Sequence, residues 1–200
     1  MTGQERRAQL LDIGRSLFAE RGYEAASVEE IAQRAHVSKP VVYEHFGGKE
    51  GLYAVVVDRE VSKLLSHISR ALGATHPRAI LEQAALAFLS YIEEEPDGFR
   101  ILLRDSPVAG ATGTLASVIS DIATQVEYIL EEQFKERGFD KNLAPLYSQA
   151  LVGMVALVGQ WWIDVGKPER EVVASHLVNL AWNGLKDLEP EPGAWSPKDS

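Results

Sequence analysis

The chain has no cysteine, which rules out disulfides, thiol redox sensing and thiolate metal sites. Its five histidines (His36, His45, His67, His76 and His176) form no i, i+4 pair and stand beside no carboxylate constellation, so neither a metal nor another cofactor is expected. No stretch reaches the roughly 20 consecutive apolar residues that cross a bilayer. The opening MTGQERRAQ has no apolar signal core. The expectation is a cytoplasmic chain with no membrane partner. Catalytic groups are scarce too: in the run Glu93-Glu94-Glu95, adjacent carboxylates point to different sides of a helix, and no His stands near to complete a site. An enzyme is not expected.

Positive charge is also in short supply. The net charge is -9, and a nucleic-acid binder usually carries a basic footprint. The deficit is uneven, however. Residues 1–60 hold eight Lys or Arg against ten Asp or Glu, and the remainder holds 12 against 19. Most of the acidity therefore lies outside the first third of the chain.

What is present is helical periodicity throughout, with no internal repeat and nothing that reads as a strand. Ser27 and Glu30 have the spacing of a capping box, and Val28, Ile31, Ala32 and Ala35 follow as one buried stripe. The turn His36-Val37-Ser38 closes that helix, with Val37 as an apolar plug. A second helix begins at Ser38 or Lys39, since Pro40 fits only in a first turn and disfavours helical angles in the residue before it. Val42 and Phe46, four apart, face inward. Lys39, Val41, Tyr43, Glu44 and His45 are left on the outer side. Two short helices across a tight turn are a helix-turn-helix, and a duplex DNA operator is the expected partner.

From about Gln4 to Glu60 the sequence resembles the tetracycline-repressor (TetR) family of bacterial regulators. RRAQLLDIGRSLFAERGYEAAS precedes VEEIAQRAHVSKPVVYEHFGGKEGLY, and Tyr43, Phe46, Lys49, Glu50 and Leu52 match the family's Tyr-x-x-Phe and Lys-Glu-x-Leu spacing. The resemblance implies that Tyr43, His45 and Lys49 sit at the phosphate backbone, with Ser27 at the head of its helix; Ser38 is expected as the N-cap of the second helix from its residue type alone. It turns Lys39, Val41 and Glu44 toward base edges. One residue departs from the pattern: where the family commonly has glycine this chain has Pro40, whose ring removes a donor and blocks close approach.

The expected architecture is all-α, about nine helices, with a three-helix head on a larger body. Residues 1–48 are expected to form the DNA-binding head, a helix over 49–72 the link, 73–188 an effector-binding and dimerisation domain, and 189–200 a disordered tail. The first helix should span Glu5 to Arg21 and end in a left-handed cap at Gly22, with Arg6 or Arg7 either touching phosphate or simply solvated. Further helices are expected over Arg78 to Glu95, Phe99 to Asp105, Thr114 to Arg137, Leu143 to Val165 and Glu169 to Leu188. Pro96-Asp97-Gly98 and a Gly-rich loop from Ser106 to Gly113 should interrupt them.

The helix over 143–165 is apolar almost all round its second half, and such a helix must be buried on every side. Together with 169–188 it should form a four-helix bundle with a second copy across a two-fold axis, giving a homodimer on a palindromic operator. Family analogy further implies a small-molecule effector. Phe88, Tyr91, Phe99, Leu103, Tyr128, Tyr147, Met154 and Trp161 are candidates for an apolar pocket, with Gln125, Gln149 and Gln160 as orienting groups. The same aromatics at helical spacing would serve equally as core. Arg100 and Arg104 could grip an acidic effector or pair with Glu93, Glu94, Glu95 or Asp97. The expected function is a ligand-released repressor. The rival reading is a dimeric helical scaffold whose helix-turn-helix no longer reads DNA.

Overall fold

The computed structural model describes residues 2–73, 76–104, 115–189 and 192. Among the described residues there are nine α-helices and no strand: α1 (Gly3–Ala25), α2 (Val28–Arg34), α3 (Lys39–Phe46), α4 (Lys49–Ala71), α5 (Pro77–Glu94), α6 (Pro96–Leu103), α7 (Leu115–Arg137), α8 (Ala144–Val165) and α9 (Arg170–Lys186). A 3-10 turn, Lys141–Leu143, leads into α8. The all-α expectation holds. Several boundaries move, each for a local reason.

α1 starts earlier than expected because Thr2 and Glu5 form a full capping box: the Glu5 amide donates to the Thr2 hydroxyl at 3.2 Å, and the Thr2 amide donates to the Glu5 carboxylate at 2.6 Å. Gly22 is not the left-handed cap expected of it. Its φ of 78° and ψ of 172° kink the helix, which then resumes as far as Ala25. The box expected at Ser27 is only half made: the hydroxyl accepts from the Glu30 amide at 3.2 Å, but the Glu30 carboxylate turns to Arg21 and Arg34, at 3.2 and 3.1 Å. Pro96-Asp97-Gly98, expected as a break, is the first turn of α6, where a proline costs no hydrogen bond. The Gly-rich loop, the Thr114 cap and the tail beyond Glu189, Pro192 apart, lie outside the described residues.

The head is built on Leu10, Leu17, Phe18, Ile31, Ala35, Val42 and Leu52, all of them buried. A buried side chain of the larger kinds here contributes about 1.5–3 kcal/mol relative to leaving it exposed. Gly14 sets how closely α1 meets α4, since a Cβ there would lie 2.8 Å from Leu52 Cδ2. The same hydrophobic core continues along α4 through Val56, Val57, Leu64 and Ile68 into Leu89, Ile92, Phe99 and Leu102 of the body. α4 is thus a single rod of 23 residues, about 34 Å long at the usual helical rise, shared by head and body.

α8 keeps one apolar side open in the single chain, the side for which the sequence reading expected a second copy as cover. Within one chain Leu146, Leu157, Trp161 and Val165 are 50–67 % exposed, and on α9 Leu180 is 66 % exposed.

Candidate nucleic-acid interface

The helix α3 is held by two side chains and presents the rest. Val42 and Phe46 are buried against the head, while Val37 and Val41 pack partly on the same core. Ser38 has extended backbone and precedes the first helical residue, Lys39, which settles the start that the sequence left open; its hydroxyl makes no cap bond. Pro40 sits in the first turn, where its missing N–H would have had no helical partner anyway. The turn from α2 depends on His36, whose φ of 53° is unusual for a residue with a side chain. Nothing in the residue types marked that position in advance.

Ser38, Lys39, Pro40, Tyr43 and Glu44 are exposed along one side of α3, with Tyr43 at 54 %. His45 and Val41 are half-buried, so neither projects as fully as the sequence reading placed it. Ser27 lies at the head of α2, half-buried, with its hydroxyl oxygen engaged as a cap. Lys49 is turned inward: Nζ donates to the Tyr23 carbonyl at 3.0 Å and the Glu24 carbonyl at 3.4 Å, and stands 4.2 Å from the centre of the Tyr23 ring. In this conformation Lys49 fastens the end of α1 rather than reaching outward.

The remaining cations of the head are engaged in the same way. Lys39 pairs with Glu29, Arg34 with Glu20 and Glu30, Arg21 with Glu30, Arg59 with Asp12, and Arg15 with Glu60 and Glu95. Arg6 donates to Gln9 and to the Ala35 carbonyl, and the Arg7 guanidinium lies 4.5 Å from the centre of the Phe46 ring. Each lysine and arginine of residues 2–60 therefore has a partner inside the chain. The Glu29 carboxyl is held below its ordinary value by the hydrogen bond from Lys39.

A cavity of about 120 Å³ lies in the body between α4, α5, α7, α8 and α9. Aliphatic side chains form most of its wall, among them Ile68, Ile80, Leu81, Ile122, Val126, Leu151 and Val155, joined by Phe88 and Trp182. Gln133 is the sole amide, and among the described residues no charged side chain or histidine lines it.

Of the eight side chains and three glutamines expected at a pocket, only Phe88 reaches this one. Tyr91 is buried elsewhere and donates to Glu60 at 3.1 Å, and Phe99 packs edge-on against Phe88. Leu103 and Met154 are partly buried against the main core. Tyr147 packs on Phe134 in a separate small cluster. Gln125 is exposed and accepts from Ser69, while Tyr128 and Trp161 are exposed at 70 % and 52 %. Arg100 lies 3.7 Å from Asp97, and Arg104 donates to the Phe18 carbonyl.

Comparison with known proteins bears on both halves. The bacterial regulatory proteins of the tetR family match residues 10–56, and the tetracyclin repressor-like C-terminal domain matches residues 77–184. The HTH-type transcriptional activator FasR of Mycolicibacterium smegmatis is 33% identical over 190 residues, covering 92% of this chain and 84% of that protein. A TetR-like transcriptional regulator from Rhodococcus sp. RHA1 superposes with a TM-score of 0.75 at 27% identity, over 91% of this chain and 96% of the other. The TetR-family regulator PfmR from Thermus thermophilus gives 0.72 at 26% identity, over 94% and 98%.

Proposed function

The chain belongs to the tetR family of bacterial regulatory proteins and is a DNA-binding transcriptional regulator, not an enzyme; on that premise we propose how its parts divide the work. Residues 1–48 form the reading head, α4 links it to the body, and residues 73–188 hold the effector and the dimer contact. The outer face of α3 carries this reading. Lys39, Tyr43 and Glu44 project from a helix that Val42 and Phe46 clamp to the head, which fixes the register of any contact they make. Tyr43 meets a phosphate, and Glu44 accepts from a cytosine amino group. Lys39 exchanges Glu29 for the DNA. Ser27, Ser38, Val41 and His45 border this face, while Lys49 acts by holding α1 to α4.

The chain works as a homodimer. Leu146, Leu157, Trp161 and Val165 recur at spacings of eleven, four and four, so they share one side of α8, and Val172 and Leu180 extend the apolar surface on α9. By length and composition the segment Lys141–Val165 could cross a bilayer, but a second copy laid along the same stripe covers it within a four-helix contact. Two heads then meet half-sites roughly 34 to 36 Å apart, one turn of duplex, or whole turns further.

The effector occupies the cavity between α4, α5, α7, α8 and α9. Its buried part is hydrocarbon, because a charged group would meet no counter-charge on that wall. A ligand that fits better when α4 is displaced lowers affinity for the operator, by no more than its own preference between the two forms. Where the operator overlaps a promoter the result is repression relieved by ligand. The name of the relative FasR favours a second reading, in which the bound regulator activates from an upstream operator.

Selection from a random duplex pool, followed by binding across a salt series, tests the core of this. A palindromic motif is expected. Equal binding to all duplexes overturns the reading.

A further inference from the structure

We propose that Glu95 and Arg104, at the two ends of α6, are positioning residues that fix the angle of the head on the body, and through it the half-site spacing the dimer accepts. The inference rests on the two-headed reading above. It starts from a buried carboxylate. Glu60 on α4 has no exposed surface, and both its oxygens are satisfied: Arg15 of α1 donates through Nε at 2.9 Å and Nη2 at 3.4 Å, the Tyr91 hydroxyl donates at 3.1 Å, and Lys63 lies 3.6 Å away. Such a charge is tolerated only when it is paired so fully. The backbone of α6 rests directly on it, for a Cβ at Gly98 would stand 1.9 Å from Glu60 Oε2.

The Arg15–Glu60 pair joins α1 of the head to the linking helix α4. Tyr91 of α5 already ties that pair to the body, and Glu95 adds a second link: this residue stands at the N-cap position of α6, pairs with the same Arg15 guanidinium and accepts from Lys63 Nζ at 3.0 Å. At the opposite end of α6, Arg104 donates to the Phe18 carbonyl at 3.0 Å, three residues along α1 from Arg15. The apolar core that head and body share along α4 resists separation but is non-directional, so a single polar attachment would still permit rotation about it. Two attachments at the two ends of a crossing helix remove that rotation. Neither residue lies on α3 or lines the cavity, so neither is needed to touch DNA or effector.

Half-site spacing is the property that a fixed head angle should control. One inserted base pair shifts a half-site by about 3.4 Å and turns it by roughly 35°. In the full-length protein, Glu95→Gln combined with Arg104→Gln leaves Arg15–Glu60 and the apolar packing of α1 on α6 in place and removes the two polar ties between those helices. The experiment measures affinity for the selected operator with spacers shortened by one, unchanged, and lengthened by one or two base pairs. Wild type is expected to lose about tenfold or more per step, comparable to a single mismatched base pair. The double variant is expected to lose roughly threefold or less, with half-site sequence preference unchanged and a cooperative melt. A double variant as strict about spacing as wild type overturns the proposal. Should the double variant fail to fold, each single variant is expected to relax the preference in part, and two singles as strict as wild type overturn it equally. A wild type indifferent to spacing removes the two-headed reading itself, and this proposal with it.

Discussion

Replacing Ala84 with leucine tests whether the cavity is what links body to head. Ala84 lines the space from α5, opposite α7 and α8. An unfilled cavity of about 120 Å³ carries a penalty of ~3 kcal/mol at the usual cost per unit volume. The added leucine carbons recover at most about 2.4 kcal/mol of that by transfer, from which ordering the side chain subtracts ~0.5–1 kcal/mol. A gain of about 1–2 kcal/mol remains, which for a chain of this length raises Tm by about 3–6 °C. The same change occupies the space an effector would take. Anilinonaphthalene sulfonate fluorescence, an apolar-site probe, should fall at least several-fold on Ala84→Leu, while operator affinity without ligand stays within about twofold of wild type. Differential scanning calorimetry, dye titration and gel shift read the three quantities. A variant that melts lower and still takes dye as wild type does would show that the cavity closes on its own and holds no ligand.

Three other expectations are independent of the cavity. Tyr43→Ala, at an exposed position outside the head's buried core, should lower operator affinity by about tenfold in a gel shift and leave Tm within about 1 °C; an unchanged affinity removes Tyr43 from the interface. Leu157→Glu places a charge at the centre of the exposed stripe on α8, and sedimentation should show monomers at micromolar concentration with the helical circular dichroism intact; a dimer as tight as wild type places the contact elsewhere. The Glu95 carboxyl is pushed up by burial, but the hydrogen bond from Lys63 and the nearby Arg15 charge outweigh this and hold it below its ordinary value. Its contribution to stability is therefore complete above the unfolded value, about 4.3, and is lost as pH falls through the folded one. The Tm difference between wild type and Glu95→Gln should shrink as pH is lowered from 5 to 3, and a difference that grows would refute the pairing.

The head was legible because its signals are short in range. Pro40 can stand only in a first turn, Val42 and Phe46 are one helical turn apart, and a Ser-x-x-Glu pair precedes a helix whatever lies around it. The misreadings came where a distant residue competes for a local partner. Glu30 has the spacing to complete a capping box, but Arg34, four residues on along α2, and Arg21 of α1 reach its carboxylate first, and the nearness of Arg21 depends on how α1 crosses α2. Lys49 reads as a surface cation until α1 is found to end beneath it. The cavity was the least legible feature. Ile80, Leu81, Ile122 and Val126 belong to the inward stripes that the sequence displays, yet whether five stripes meet fully or leave a gap is a property of their summed volumes. Aromatic residues drew attention because they are large, and their size lets Phe99 and Tyr147 fill space elsewhere in the body.

The scarcity of positive charge and the pairing of what charge there is point to one consequence. A solvated lysine that binds phosphate releases a counterion from DNA and gains affinity at low salt. In this head Lys39 must first leave Glu29, Arg34 would have to leave Glu20 and Glu30, and the freed carboxylates would then face a polyanion. Each such contact exchanges one ion pair for another and adds a repulsion, so its net gain is small. The groups that incur no such exchange are neutral: the Tyr43 and Ser38 hydroxyls and those first-turn amides that no cap already occupies. Hydroxyls and amides bind weakly but only in one geometry, so a head built this way must be held rigidly and used in duplicate to bind at all. On the reading proposed above, the ties at both ends of α6 and the apolar stripe on α8 would supply those two conditions.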